Sequence, residues 1–266
     1  MMPMPGPPAP MPHSPFPEDP DDHTTPHITP AMDIRTETID YDHDGTTLEG
    51  YLAYDASSDV VRPGIVIVHA WMGLDDNARD RARQLAQLGY VAFCADIYGK
   101  GVRPATREEA SAQAGKYRAD RALLRGRANA AVTWLRSHAL CDNDRIAAIG
   151  YCFGGGTVLE LARSGCDIRG VVSFHGNLDT PNPADAKQIK AAVLVCHGAE
   201  DKGVTQERVT DFIAEMRAAG DGVDWQLVQY GSAVHGFTHV DTPAYNEKAE
   251  RRSWELMLDF FEDVLR

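Results

Sequence analysis

The chain has 266 residues, 43% of them apolar, and a formal net charge of −13. That length and apolar fraction suit one large globular domain with a sizeable core. The acidic balance argues against nucleic acid or anionic membrane as a partner, since both need clustered Lys and Arg, and no apolar run reaches membrane-spanning length.

Residues 1–32 hold most of the sixteen prolines and show no hydrophobic periodicity. Such a stretch buries too little apolar surface to offset its ordering entropy, so a disordered or loosely draped tail is expected. It lacks a basic start followed by an apolar core, so it does not read as a secretory signal. Either it is a true extension or the native start is Met32, just before the folded domain of residues 33–266. Two alternating runs, Ile34 to Asp42 and Leu48 to Tyr54, flank His43-Asp44-Gly45, which predicts an antiparallel hairpin. Gly64 to His69 is a continuous apolar run, expected of a parallel strand buried on both faces. A helix follows over about Asp76–Leu88, with Asp75 or Asp76 as its cap and Gly89 as its stop. Tyr90 to Ala95 is the next buried strand.

Asp96 to Pro104 reads as a loop, and Thr106 with Glu109 as a capping box that opens a helix. A further helix spans roughly Ala119 to Ser137; its arginines, Arg118, Arg121, Arg125 and Arg127, read as a solvated face. Arg145 to Ile149 is a strand that ends in Gly150-Tyr151-Cys152-Phe153-Gly154-Gly155-Gly156. Ile168–Phe174 and Ala192–Cys196 are two more buried strands. Val204–Ala219 is a helix, Val223–Tyr230 an alternating strand, and Asn246–Leu265 a closing amphipathic helix. Alternating strands and helices predict an α/β fold: about eight strands, mostly parallel, in a single domain without repeats.

The five cysteines are odd in number and form no C-x-x-C pair, as expected for reduced thiols in a cytoplasmic enzyme. The ten histidines are not paired with acids at ligand spacing, so a metal is not expected. Oligomeric state leaves no mark in the sequence.

In an open α/β sheet, ligands bind beyond the carboxyl ends of the strands. Cys152 sits there, at the apex of a strand–turn–helix. Gly150 and Gly154 remove Cβ atoms that would collide around a strained apex, and a helix N-terminus behind the thiol favours its thiolate. Taken alone, a buried packing cysteine would explain G-x-C-x-G as well. After the Ala192 strand come Glu200 and Asp201; after the Val223 strand comes His235. The order nucleophile, acid, base is that of the α/β-hydrolase fold, with Asp201 preferred over Glu200 for its place in G-x-x-D. Cys152 attacks a carbonyl, His235 moves the proton, and Asp201 orients the imidazole. The expected oxyanion hole is the backbone N–H of Phe153 with that of Trp71.

From about Ile34 onward the chain resembles the dienelactone hydrolase family, a cysteine-nucleophile branch of the α/β-hydrolases. The matching motifs are Val68-His69-Ala70-Trp71-Met72-Gly73-Leu74, Asp96-Ile97-Tyr98-Gly99-Lys100-Gly101, the Cys152 elbow, His197-Gly198-Ala199-Glu200-Asp201 and Ala233-Val234-His235-Gly236-Phe237. The resemblance implies a cofactor-free hydrolase of small esters or lactones acting through Cys152, His235 and Asp201. It also implies a glutamate where this chain has Ala70, and an arginine for a substrate carboxylate where it has His239. Trp71, Arg103, Phe237 and His239 are the candidate pocket residues. A neutral ester, lactone or thioester is therefore as open a substrate as dienelactone. The rival readings are a catalytically weakened member that binds a carbonyl compound or senses oxidation through Cys152, and a peptidase.

Overall fold

The structure, a computed structural model, describes residues 32–266; apart from Met32, the expected tail lies outside the described residues. The eight strands are β1 (Ile34–His43), β2 (Thr46–Asp55), β3 (Arg62–Val68), β4 (Val91–Ala95), β5 (Cys141–Tyr151), β6 (Gly170–Phe174), β7 (Ala192–Gly198) and β8 (Trp225–Tyr230). They form one sheet in the order β1-β2-β4-β3-β5-β6-β7-β8. β1 and β2 run antiparallel to their neighbours, and β4, β3 and β5 to β8 are mutually parallel. The hairpin turn is Asp44-Gly45, both at positive φ (50° and 73°), the geometry that matches the twist of the flanking strands. His43 belongs to the strand rather than to the turn.

Alternate residues of the central strands face opposite layers. Ile65, Ile67, Ile149, Val172 and Leu194 pack with helices α1 (Asp76–Gln87) and α6 (Glu247–Val264), through Leu85, Met257 and Phe261. Val66, Val68, Ala148, Val171 and Val195 pack with Leu124 and Leu135 of α3 (Arg121–Arg136), Val158 of α4 (Phe153–Arg163) and Phe212 of α5 (Gln206–Ala219). Each of the larger side chains here, Ala148 excepted, contributes roughly 2 kcal/mol by leaving water. Helix α2 (Arg107–Ala119) lies between β4 and α3 in the chain. Its cap is as predicted: Thr106 Oγ1 accepts from the Glu109 N–H (3.2 Å). Glu109 turns back to accept from the Ala105 N–H (2.8 Å), one residue earlier than a strict capping box. Among the described residues, no helix is long and apolar enough to cross a membrane.

The arginine run is not a solvated face. Arg121 reaches Asp179 (3.6 Å), and Arg125 bridges Glu160 and Asp185 (2.7 Å each). Arg127 is only 6% exposed. The acidic partners of Arg121 and Arg125 lie on α4 and in the segment after β6, too far along the chain for a local charge pattern to reveal.

Candidate active site

The turn between β5 and α4 holds Cys152 at φ 54°, ψ −110°, a left-handed conformation that a non-glycine residue keeps only when its surroundings enforce it. Two glycines enforce it. A Cβ at Gly150 would run into the Gly154 carbonyl, and one at Gly154 into the carbonyls of Val68 and His69. The turn therefore sits directly on the end of β3. The Cys152 N–H is shared between the Phe174 carbonyl (3.0 Å) and Nδ1 of His175 (3.2 Å).

The loops after β7 and β8 bring the other two predicted residues to the thiol. His235 Nε2 lies 3.1 Å from Cys152 Sγ, and its Nδ1 lies 2.8 Å from Asp201 Oδ2. Asp201 is buried, and its other oxygen accepts the N–H groups of Gly203 (2.8 Å) and Val204 (3.0 Å). Glu200, the rival acid, is exposed. Burial works against charge on His235, but its bonds to Asp201 and Cys152 outweigh that and push its pKa up to about 10. Burial also raises the Asp201 carboxyl; the hydrogen bond and charge of His235 reverse this and leave it below its ordinary range.

The loop after β3 carries Trp71. His69 is buried, and its Nε2 accepts from the Ile97 N–H (3.2 Å), so the ring proton sits on Nδ1, which donates to the Ala70 carbonyl (2.6 Å). That carbonyl also accepts from the Gly73 N–H (3.2 Å). In a trans peptide the N–H opposes the C=O, so drawing the Ala70 oxygen inward turns the Trp71 N–H outward. Tyr98 Oη donates to the Trp71 carbonyl (2.9 Å) and fixes the next peptide in turn. Phe153 is the first residue of α4, where an N–H has no intrahelical partner.

A cavity of about 860 Å³ opens over the thiol, lined among others by Trp71, Asp75, Arg107, Arg118, Asn177 and His239. Trp71 and His239 are thus where the sequence put them. Arg103 and Phe237 are not. The Arg103 guanidinium turns into its own loop, donating to the carbonyls of Gly99 (3.3 Å) and Val102 (3.0 Å) and pairing with Glu49 (3.3 Å). Phe237 is fully buried beneath the site, its ring 5.2 Å from His175 and 5.6 Å from Tyr230. The cavity's cations come from α2 instead: Arg107 lies over the Trp71 ring (5.3 Å) and Arg118 over that of Phe153 (5.7 Å). Sequence reasoning missed these two and also His175 and Asn177. The last pair follows β6 directly, so the strand-end rule reaches them; the α2 arginines carry no such signal. Among the described residues, no cluster of His, Cys, Asp or Glu has the arrangement to hold a metal ion.

Comparison with known proteins bears on the family and the fold. A model of the dienelactone hydrolase family matches residues 48–265. A Bradyrhizobium protein named "probable 2-oxo-3-(5-oxofuran-2-ylidene)propanoate lactonase" is 30% identical over 83% of this chain and 93% of its own. The solved structure of m3DLH superposes with a TM-score of 0.82 at 40% identity, over 88% of this chain and 99% of that one. A dienelactone hydrolase-like promiscuous phosphotriesterase from metagenomic libraries gives the same TM-score of 0.82 at 38% identity, again over 88% and 99%. With its eight-stranded α/β-hydrolase sheet and a match that runs from β2 to the end of α6, the chain belongs to the dienelactone hydrolase family.

Proposed function

We propose that the protein hydrolyses a small ester or lactone through an acyl-cysteine intermediate, with Cys152 as nucleophile, His235 as proton carrier and Asp201 as its orienting acid. The observation that carries this reading is the single imidazole that touches both the thiol sulfur and a buried carboxylate. The Cys152 proton passes first to His235, and Sγ then bonds to the substrate carbonyl carbon. The oxyanion that forms is held by the N–H groups of Phe153 and Trp71, which supply fixed dipoles at no reorganisation cost. As the C–O bond breaks, the leaving alkoxide takes the proton from His235. Water then attacks the thioester, giving its proton to His235, and the acid leaves as the thiol re-forms. Arg107 and Arg118, which line the same cavity as the thiol, favour a substrate with a carboxylate or phosphate on one side of the ester.

Cys152→Ala lowers turnover of a short-chain p-nitrophenyl ester by about a thousandfold or more while circular dichroism stays unchanged. Retained turnover in a folded variant refutes the reading. The phosphotriesterase relative at 38% identity favours a second substrate class, neutral phosphotriesters attacked by the same sulfur. An alkylation rate of the thiol that ignores His235→Asn favours the weakened, redox-sensing alternative instead.

A further inference from the structure

His175 plays no part in the triad, yet it sits directly beneath it. The residue follows β6 and is held at φ 40°, in the left-handed region where a histidine needs a reason to be. It is fully buried. Its Nδ1 accepts from the backbone N–H of Cys152 (3.2 Å), and its Nε2 lies 2.7 Å from Thr238 Oγ1. A backbone N–H is an obligate donor, so Nδ1 is the unprotonated nitrogen and Nε2–H donates to the threonine. One neutral ring therefore joins the peptide that carries the nucleophile to the loop that carries the base, three residues after His235. Its face is closed in by the rings of His235 (5.3 Å), Phe237 (5.2 Å) and His239 (5.6 Å). Burial, followed by the influence of His235 and His239, pushes its pKa well below the ordinary histidine value, which keeps the ring in the tautomer this arrangement needs.

We infer that His175 is a positioning residue, a strut that sets the spacing between the Cys152 turn and the His235 loop for the reaction proposed above. The two loops come from different strand ends, β5 and β8, separated in the sheet by β6 and β7. The elbow keeps its Phe174 bond without the strut, so its loss loosens the sulfur–imidazole geometry rather than unfolding the turn. Misplacement of reacting groups by about an ångström costs up to about a hundredfold in rate.

Thr238 offers the cleaner test, because it touches neither the sulfur nor the catalytic imidazole in the contacts described. Thr238→Val keeps the shape and removes the acceptor; Thr238→Ser keeps the acceptor. Thr238→Val is expected to lower kcat for a p-nitrophenyl ester at least about tenfold with KM within about twofold, and Thr238→Ser to stay within about threefold of the parent. His175→Asn, which tolerates the left-handed backbone and retains an acceptor for Cys152 but cannot reach Thr238, should resemble Thr238→Val. Thermal melts of all three identify the folded variants, and Thr238→Val decides if His175→Asn does not fold. Full kcat in Thr238→Val overturns the inference, as does equal loss in Thr238→Val and Thr238→Ser. Either result leaves the triad reading standing so long as Cys152→Ala is inactive; an active Cys152→Ala refutes the triad reading itself.

Discussion

Helix α4 begins at Cys152, and a buried ion network secures its other end. Arg163 is 1% exposed and grips both oxygens of Glu215 (2.7 and 2.8 Å), one oxygen of Glu160 (3.0 Å) and the Leu178 carbonyl (2.9 Å). Arg163→Met keeps an unbranched apolar stem and removes the charge. Glu160 still has Arg125 at 2.7 Å, but Glu215 loses both of its charged bonds in a buried site. One uncompensated buried carboxylate costs about 3–5 kcal/mol. At about 2–4 °C per kcal/mol for a domain of this size, that lowers Tm by roughly 6–20 °C. Burial already raises the Glu215 carboxyl even with Arg163 in place, and the variant raises it further. A carboxyl with a raised folded pKa binds its proton more tightly in the folded state, so the deficit shrinks as pH falls. Urea unfolding at pH 8 and again near pH 5 measures this directly. The double change Arg163→Met with Glu215→Leu removes the stranded charge and should recover most of the loss. A single variant within about 1 kcal/mol of the parent, or a double variant no better than the single, refutes the reasoning.

Buried His69 and His175 have pKa values that burial pushes below the ordinary range. The unfolded chain takes up these protons near pH 6.5 and the folded chain does not, so their stability contribution is present above that pH and lost as pH falls. Unfolding free energy should fall by about 1.4 kcal/mol per pH unit for each ring that stays neutral, as urea curves between pH 7.5 and 5 would record. His235 behaves oppositely: its contribution is fully present below pH 6.5 and disappears as pH rises through about 10. NMR titration should place its imidazole midpoint near that value, and Asp201→Asn should bring it down toward the ordinary range. Arg118→Ala should raise KM for an ester bearing a carboxylate by about tenfold and leave that of a neutral ester of the same size unchanged; equal effects on both remove the arginine from substrate binding.

Residues at strand ends were legible because their place follows from the chain itself. An apolar run five or more residues long reads as a buried strand, and whatever follows it lies on the ligand side of the sheet. Cys152, Asp201 and His235 were found that way, and His175 lies in the same position after β6. The pocket's helix-borne walls were not legible. Whether Arg107 and Arg118 or Arg103 faces the thiol depends on how α2 docks and on the Glu49 and Asp96 carboxylates near Arg103. Glu49 belongs to the β1–β2 hairpin side, remote in sequence. The arginines of α3 misled for the same reason: a local charge run looks solvated until acids 35 or more residues away close on it. Phe237 follows His235 by two, which suggests a wall; the turn sends it into the core.

Ala70 stands where the family resemblance implies a glutamate, and the structure bears on what replaces it. Ala70 is buried, and its backbone carbonyl is committed to His69 and Gly73. Asp75 reaches the same cavity, but one of its oxygens caps α1 by accepting from the Ala78 N–H (3.0 Å). Its charge is thereby tied to the helix terminus it stabilises. On the proposed reading, the proton of Cys152 then has one destination, the imidazole 3.1 Å away. The charge that imidazole acquires rests on Asp201, the carboxylate in contact with it among the described residues. Two backbone N–H groups hold that carboxylate in turn, through the oxygen that His235 does not use. On that reading, the proton's transfer rests on one charge-assisted hydrogen bond that is in place before any substrate arrives.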